Sequence, residues 1–171
     1  GGSVRQGDEF VPCETRLETI RVKGWAEVEE TVLVTPRGPV IGPALGGDSR
    51  SLSMRATWLA PRPIRGLLKV HMARSFDEFR RAFEEWPLMS LNMLYADTRG
   101  KIGWQLVGEA PRRRNGWGTV PLPGWVPGAG WHDEPVAFDE MPFAEDPPEG
   151  ALATANNQPV PEGDGPFLGV D

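Results

Sequence analysis

The chain is short of the residues that build disulfides and metal centres. It has one cysteine, Cys13, and two histidines, His71 and His132, which stand far apart in the sequence. A single cysteine cannot close a disulfide within the chain. A zinc site needs several Cys or His ligands at short spacings. We therefore predict neither an internal disulfide nor a metal site in this chain.

Basic residues and long apolar runs are also scarce. Lys and Arg number 18 against 24 Asp and Glu, and the net charge is -6. Nucleic-acid binding needs a basic face, and a bilayer span needs about 20 consecutive apolar residues. We expect no nucleic-acid partner and no membrane span. The sequence shows no signal-peptide pattern, and the compartment stays open because a processed protein would also lack one.

Glycine and proline are abundant, with 21 and 18 residues spread along the chain. This distribution favours many short strands and turns over long helices. Hydrophobic residues make up 39% and include seven Trp and seven Phe, which excludes a disordered chain. The length suits one domain. The predicted fold class is α+β, with mostly antiparallel strands.

One helix is predicted, over residues 75–86. Ser75 is a good N-cap, and Glu78 three residues later completes a capping box. Aromatic residues recur at helical spacing and predict one buried face; they are Phe76, Phe79, Phe83 and Trp86. Charged residues are expected on the opposite, exposed face, and they are Asp77, Arg80, Arg81 and Glu84.

Alternation of apolar and polar residues predicts the strands. Residues 17–22 and 28–34 are expected to pair as a hairpin, and 52–58 is expected to be a further strand. Residues 1–12 are expected to be a frayed entry with a turn at Gly7-Asp8. We assign about 14–70 to a small β-rich subdomain.

A second hairpin is predicted over residues 91–106. Its first strand runs to Asp97, a turn follows through Gly100, and the return strand includes Trp104. Asp and Gly are the residues expected around a tight turn. Because both strands are mostly apolar, we expect burial on both faces.

Two amides end a strand-like run near the C-terminal part of the chain. Small residues over 150–155 lead into Asn156, Asn157 and then a proline. Asn and Pro are turn formers, so a turn alone explains them. Side-chain amides in such a position can also hold an oxygen that gains negative charge. The residues themselves leave both interpretations open.

Seven segments, in the right order, resemble the penicillin acylase family of N-terminal nucleophile hydrolases. The most specific are 92–97 (Asn-Met-Leu-Tyr-Ala-Asp) and 155–159 (Ala-Asn-Asn-Gln-Pro). The chain is similar to a central piece of that family's larger, nucleophile-bearing chain. The other matching segments are 18–24, 35–40, 73–79, 100–104 and 121–125.

The resemblance implies a mechanism and a place for two residues in it. In the family, a serine exposed at a new N-terminus attacks an amide carbonyl, an acyl-enzyme forms, and water releases the acid. A backbone N–H and an Asn side chain hold the oxyanion, and Asn156 matches that Asn. Leu91 matches a position that lines the acyl pocket. The hairpin over about 91–107 and the strand over about 150–156 would belong to the family's catalytic sandwich.

The resemblance also implies what this chain lacks. No Ser-Asn-x-Trp-like nucleophile segment is present, and Val4-Arg5-Gln6 after Ser3 does not continue that pattern. The expected partners are the remainder of the acylase, meaning the smaller chain and the nucleophile segment, and a small-molecule amide substrate. This chain alone is expected to be inactive. A periplasmic or secreted location is suggested.

The chemistry that the family implies requires no cofactor. The family often binds a structural calcium in the full-length enzyme. One carbonyl ligand would match the loop at 116–119, and a later carboxylate ligand would match Asp171. Because most of that site would lie elsewhere, we predict no calcium site here.

Two alternatives stand beside the acylase interpretation. The first is a non-catalytic β-rich binding or interaction module that uses some of its seven tryptophans. The second is an independent enzyme that uses Cys13 or the adjacent Asp139 and Glu140, although neighbouring strand residues point to opposite faces. The Arg112-Arg113-Arg114 triplet is expected to be a solvated loop or to form an internal ion pair rather than an anion site.

Overall fold

The structure is a computed structural model that describes residues 2–45, 52–115, 118, 120–155, 158–161, 165–166 and 168. Short strands dominate the described part, as the composition predicts. The strands are β1 (Ser3–Gln6), β2 (Glu9–Pro12), β3 (Glu14–Ile20), β4 (Val28–Thr35), β5 (Gly38–Pro39), β6 (Leu91–Ala96), β7 (Ile102–Val107) and β8 (Phe143–Glu145). The α-helices are α1 (Leu67–Val70) and α2 (Phe76–Ala82). Single 3-10 turns are Gly42–Leu45, Thr57–Leu59 and Phe138–Glu140.

The chain falls into two compact units. The first unit comprises Gly1–Leu59 and Pro121–Gly130. The second comprises Ala60–Val120 and Trp131–Asp171. Sheets β1-β2 and β3-β4-β5 belong to the first unit, and sheet β6-β7-β8 belongs to the second. All pairings are antiparallel, which confirms the predicted α+β class.

The first residues of the chain form a hairpin. The expectation of a frayed entry was wrong, because β1 and β2 pair from Ser3↔Pro12 to Gln6↔Glu9. The turn at Gly7-Asp8 is confirmed, and Gly7 has a φ of 62°. Val4, Phe10 and Val11 are good strand residues, so the signal for this hairpin was present in the sequence.

The β3–β4 hairpin is long and exposed. Its register runs from Glu14↔Val34 to Ile20↔Val28, which confirms the predicted pairing. Strand β4 lies within one residue of its predicted bounds, whereas β3 starts three residues and ends two residues earlier than predicted. Every residue of β3 is exposed. The strand expected over 52–58 is wrong, because only Ser53 forms a bridge, to Val40, before the chain turns at Thr57–Leu59.

The second unit is built on the sheet β6-β7-β8, in which β7 is the central strand. Its hairpin pairs Leu91 with Val107 and Ala96 with Ile102. The expected burial on both faces holds for β7, whose residues from 103 to 107 are all buried. It is wrong for β6, whose residues vary between half-buried and exposed. Within the described residues, β6 is an edge of the sheet.

Helix α2 begins at the predicted capping signal. The Ser75 hydroxyl oxygen accepts from the Glu78 N–H at 3.1 Å, and the Glu78 carboxylate accepts from the Arg74 N–H at 2.8 Å. The helix ends at Ala82, four residues before the predicted end. Tighter turns continue to Trp86, whose N–H donates to the Phe83 carbonyl.

Two hydrophobic clusters cover the two faces of this sheet. The first holds Val107 and the aromatics of α2 and of the turns that follow it, with Met93 and Tyr95 packed against it. The second contains Trp104 and Leu106 of β7. Because side chains alternate along a strand, Gln105 and Val107 face α2 while Trp104 and Leu106 face away from it. The remaining buried members of the second cluster are Ala110, Val136 and Met141.

The strand expected over about 150–156 is not formed in its described part, residues 150–155. A strand needs a ladder of hydrogen bonds to a neighbouring strand, and none of the sheets formed by the described residues includes this run. Leu152 nevertheless packs against the second cluster. The assignment of this run and of β6–β7 to a catalytic sandwich stays a prediction.

Within the described ranges, neither α-helix approaches the length or the apolarity that a bilayer span requires. Helix α1 has four residues and α2 has seven.

Candidate functional site

Leu91 begins β6, the edge strand of the second unit. Its register partner Val107 is almost completely buried at 1% exposed, whereas Leu91 is 40% exposed. Both side chains lie on the sheet face that carries α2, because directly opposed residues of antiparallel strands share a face. Leu91 is therefore an exposed aliphatic side chain held at the end of a rigid hairpin. This is a geometry in which an apolar group can meet a ligand.

Asn156 and Asn157 lie outside the described residues, so their geometry does not enter the site. The segment that leads to them is described as far as Ala155. Leu152 in that segment packs against the cluster of Trp104 and Leu106, on the sheet face opposite Leu91. Leu152 therefore anchors the segment that leads to Asn156. That Asn156 and Leu91 belong to the same site stays a prediction.

A hydrogen bond between two side chains links the strands of the β6–β7 hairpin. The indole N–H of Trp104 donates to Oδ1 of Asn92 at 2.8 Å. The two residues stand diagonally across the β6–β7 ladder on the face away from α2. This hydrogen bond satisfies the buried indole nitrogen and holds β6 directly after Leu91.

Asp97 closes the β6–β7 turn. Its carboxylate accepts hydrogen bonds from the backbone N–H groups of Arg99 and Lys101, from the Arg99 guanidinium and from the Tyr95 hydroxyl. Desolvation of the carboxyl opposes ionisation, but these hydrogen bonds outweigh it and lower the pKa of Asp97 to about 2. The turn that aligns the hairpin therefore depends on an ionised Asp97.

Arg80 was predicted on the exposed face of α2, and that prediction is wrong. The residue is only 8% exposed. Its Nε donates to Oε1 of Gln105 at 2.6 Å, and its guanidinium lies 3.5 Å from the ring centroid of Phe143. Desolvation lowers the pKa of Arg80, and the neighbouring Arg81 charge adds to this effect. Cation–π contact and the charge-assisted hydrogen bond make the buried position tolerable.

Gln105 links this arginine to the rest of the sheet. It is fully buried, and its Nε2 donates to the carbonyls of Leu106 and Pro142 at 2.8 and 3.2 Å. The pair of Arg80 and Gln105 therefore ties α2 to β7 and to the chain entering β8. Nothing in the helical spacing marks Arg80 as buried, whereas a lone Gln in the apolar β7 run was a usable signal.

The charges considered in the alternative hypotheses are engaged elsewhere. Asp139 pairs with Arg81 at 3.0 Å and Glu140 pairs with Arg112 at 2.7 Å, so the two carboxylates diverge. The Arg112 contact agrees with the expectation that the triplet would be a solvated loop or form an internal ion pair. Next to it, Arg113 has a buried Nη1 without a hydrogen-bond partner, and desolvation lowers the pKa of Arg113.

Metal ligands do not assemble in the part of the chain that the structure describes. There, no three side chains of Cys, His, Asp or Glu come together as a metal-binding group would. Asp171 and most of the 116–119 loop, which the resemblance relates to a calcium site, lie outside the described residues. Calcium takes no part in the reaction proposed for this chain.

Sequence reasoning did not find a cleft in the second unit. It has a volume of about 540 Å³ and is lined by the segment before α1, the turns after α2, the chain after β7 and residues around Phe138. Arg62 pairs there with Glu109, and Arg65 pairs with Glu85 at 3.0 Å. Both arginines of the cleft are therefore paired with carboxylates of its own lining.

Comparison with known proteins first defines the class of this fold. The structure matches a thermostable penicillin G acylase from Alcaligenes faecalis with a TM-score of 0.72 and 27% sequence identity. The match covers 96% of this chain and 30% of that one. The fold is thus an α+β fold of the N-terminal nucleophile hydrolase type.

Sequence comparison gives the family. The sequence profile of the penicillin amidase family matches residues 2–170. The chain is 34% identical over 163 residues to an acyl-homoserine lactone acylase, QuiP, of Pseudomonas fluorescens. It is 32% identical over 176 residues to the penicillin acylase 2 proenzyme of a Pseudomonas species. The chain belongs to the penicillin amidase family.

The chain is much shorter than its relatives. The match to the acyl-homoserine lactone acylase covers 92% of this chain but 20% of that protein. For the penicillin acylase proenzyme the shares are 100% and 22%. The chain therefore corresponds to a fragment of a family member, and the relatives named here are acylases.

Proposed function

We propose that this chain is part of an amidohydrolase that cleaves the acyl amide bond of penicillin-like or other N-acyl substrates. The observation that carries the proposal is the family match over residues 2–170, together with relatives that are acylases of two substrate types. The nucleophile is an N-terminal serine that is not among these 171 residues. The partners are the remainder of the acylase and a small-molecule amide.

The reaction proceeds in two covalent steps. The serine hydroxyl gives its proton to the serine's own amino group as it attacks the amide carbonyl, and the C–N bond then breaks as the amine leaves with that proton. Water then attacks the resulting ester and releases the acid. Asn156 donates its side-chain N–H to the oxyanion of both tetrahedral intermediates. Such a donor stabilises charge that exists only near the transition state.

Leu91 contributes to substrate selection rather than to bond cleavage. An aliphatic side chain that is 40% exposed on a hairpin fixed by Asp97 can line one wall of an acyl pocket. Burying an acyl chain against it gains about 0.8 kcal/mol per methylene. The role of Leu91 is therefore expected to appear in the acyl-length dependence of kcat/KM.

The effect of Leu91 can be measured with a series of N-acyl amides of increasing chain length. We expect Leu91→Ala to lower kcat/KM for the preferred acyl group about 10- to 100-fold, because a methylene-scale loss costs 1–3 kcal/mol. Leu94→Ala is the matched control. Leu94 lies on the same strand with 50% exposure, but on the opposite face. Equal effects of both substitutions would contradict the assignment.

The reaction class itself is tested on the intact protein. Incubation with a chromogenic phenylacetyl amide and with long-chain acyl amides should release acid and amine in equal amounts. Under single-turnover conditions, mass spectrometry should detect the acyl group on the nucleophile segment. Hydrolysis without any acyl adduct would rule out the covalent route.

The binding-module alternative has one observation in its favour. Among the described residues, three tryptophans are strongly exposed, with Trp25 at 82%, Trp58 at 56% and Trp125 at 48%. All three belong to the first unit. An intact protein that binds a peptide or carbohydrate through these residues and hydrolyses none of the amides would favour the module.

A further inference from the structure

The first unit contains a cavity of about 310 Å³ that the acylase chemistry does not use. Arg5, Arg37 and Arg55 line it together with the hydroxyl residues Ser3 and Ser53. No Asp or Glu occurs among the described residues that line it. In a chain of net charge -6, this is a concentration of positive charge.

The cleft of the second unit provides the contrast. Its arginines, Arg62 and Arg65, each pair with a glutamate that lines the same cleft. The carboxylate of Asp8 contacts Arg5 at 3.3 Å but is fully exposed, so water screens that pair. Among the described residues no carboxylate pairs with Arg37. The Arg37 guanidinium is therefore the cation with which an anionic ligand would pair.

Local structure holds Arg37 in place. Thr35 is buried at 7% exposed, and its hydroxyl accepts from the Arg37 N–H and donates to the Gly38 carbonyl, both at 3.0 Å. Gly38 has a φ of 124°, and a Cβ there would lie 2.0 Å from the Met54 carbonyl oxygen. The tight turn between β4 and β5 therefore requires glycine, and it fixes the backbone from which Arg37 reaches the cavity.

The loop over residues 121–125 closes the other side. A Cβ on Gly124 would stand 3.3 Å from Nη1 of Arg37, so the glycine lets the loop approach the guanidinium. Next to it, Trp125 presents its ring 5.9 Å from the Arg5 guanidinium carbon. Leu52 and Leu122 add apolar wall. The cavity thus combines a fixed cation with an aromatic and aliphatic surface.

We propose that this cavity binds a small organic acid, with its carboxylate on Arg37 and Arg5 and its apolar or aromatic part against Trp125. The planar guanidinium matches a carboxylate with two parallel N–H···O bonds and stays charged at every physiological pH. The volume suits a ligand the size of phenylacetate rather than a polymer. The proposal does not depend on the acylase assignment.

The experiment uses the intact protein with 5-fluorotryptophan and follows the 19F signal of position 125 during a titration with phenylacetate. Comparison with Trp125→Phe assigns the signal, so binding at any other site does not interfere. We expect a saturable shift, and 2-phenylethanol, which lacks the charge, should bind at least about tenfold more weakly. Arg37→Gln and Arg5→Gln should each weaken binding about tenfold or more.

Arg65→Gln is the matched control, because it removes one arginine that is paired with a glutamate in the cleft of the second unit. It should leave the titration unchanged. The use of two separate arginine variants protects the test against one of them failing to fold. A signal that phenylacetate does not move, or that moves with equal affinity in Arg37→Gln, Arg5→Gln and wild type, would overturn the proposal.

Discussion

The two units use the same antiparallel pairing but bury very different amounts of apolar surface. All hydrophobic residues that are buried in the described part belong to the second unit, where they form two clusters on the faces of one sheet. In the first unit, β3 is exposed along its whole length, and Trp25 near the hairpin turn is 82% exposed. In this sequence, strand pairing therefore occurs both with and without a buried hydrophobic core.

The cause of the difference is the layer that covers each sheet. In the second unit, α2 lays its aromatic residues on one face of β7 and the chain around Val136 covers the other. No helix of comparable length is described in the first unit. Packing on both faces can thus hold the sheet of the second unit rigid. An isolated hairpin without such packing is only marginally stable in water.

The largest expected effect on stability is the loss of a core aromatic of the second unit. Phe83 is 2% exposed and touches Phe79 and Trp86 edge to face. We expect Phe83→Ala to lower the free energy of unfolding of this unit by about 3–5 kcal/mol, because it leaves a cavity. Phe10→Ala in the first unit, where Phe10 is 71% exposed, should cost less than about 0.5 kcal/mol. Urea unfolding of the intact protein measures both, and similar losses would contradict the comparison.

A smaller effect is expected from the buried arginine. Arg80→Met removes the partner of Gln105 Oε1 and should destabilise the second unit by about 1–3 kcal/mol. Arg81→Met, one position on, affects an exposed side chain and should cost no more than about 1 kcal/mol. The double variant with Gln105→Met separates the pair from its surroundings, since a coupling energy near zero would show that the two side chains do not act together.

The smallest effect concerns the two hairpin turns and depends on pH. The pKa of Asp97 is about 2 in the fold against an ordinary 3.8, so its contribution is complete above about pH 4 and is lost as the pH falls towards 2. Asp97→Asn should therefore lower the Tm at pH 7, and its difference from wild type should shrink as the pH falls through about 2. Glu27→Gln, which breaks an exposed 3.3 Å pair with Arg21 in the first unit, should change little at either pH. Thermal melts at pH 7, 4, 3 and 2 measure this, and a difference as large at pH 2 as at pH 7 would be inconsistent with it.

Much of the fold could be predicted from local signals. The Ser75 cap, the aromatic stripe and the Asp97-to-Gly100 turn each carry their own stereochemical cause, and each appears in the structure. The β3–β4 pairing followed from alternation, and the β6–β7 pairing followed from two mostly apolar runs around a tight turn. Such features depend on residues within a few positions of each other, which a sequence displays directly.

Features that depend on distant partners were not predictable in this way. Arg80 looked like a surface residue because its burial arises from Gln105 and Phe143, which lie 25 and more positions away. Residues 52–58 alternate like a strand, but a long pairing needs a neighbour, and Ser53 meets only Val40. The short strand β8 pairs with β7 across some forty residues, and nothing local announces it.

The candidate site was predictable only in part. The residue types alone are explained by a turn at Asn156 and Asn157. Only the resemblance of seven ordered segments to the family predicts that Asn156 is an oxyanion donor. The same resemblance selected Leu91, whose partial exposure no periodicity indicates. Neither the residue patterns nor the family resemblance predicted the cavity around Arg37, because its arginines come from three separate parts of the chain.

The most direct test of the acylase assignment is the hydrolysis of a chromogenic acyl amide by the intact protein carrying Asn156→Ala or Asn157→Ala. The adjacent asparagines serve as matched positions, since both substitutions remove one amide from the same segment. We expect kcat to fall about 100- to 1,000-fold for Asn156→Ala, with little change in KM, and to stay close to wild type for Asn157→Ala. An unchanged kcat in Asn156→Ala, or equal losses in both variants, would contradict it.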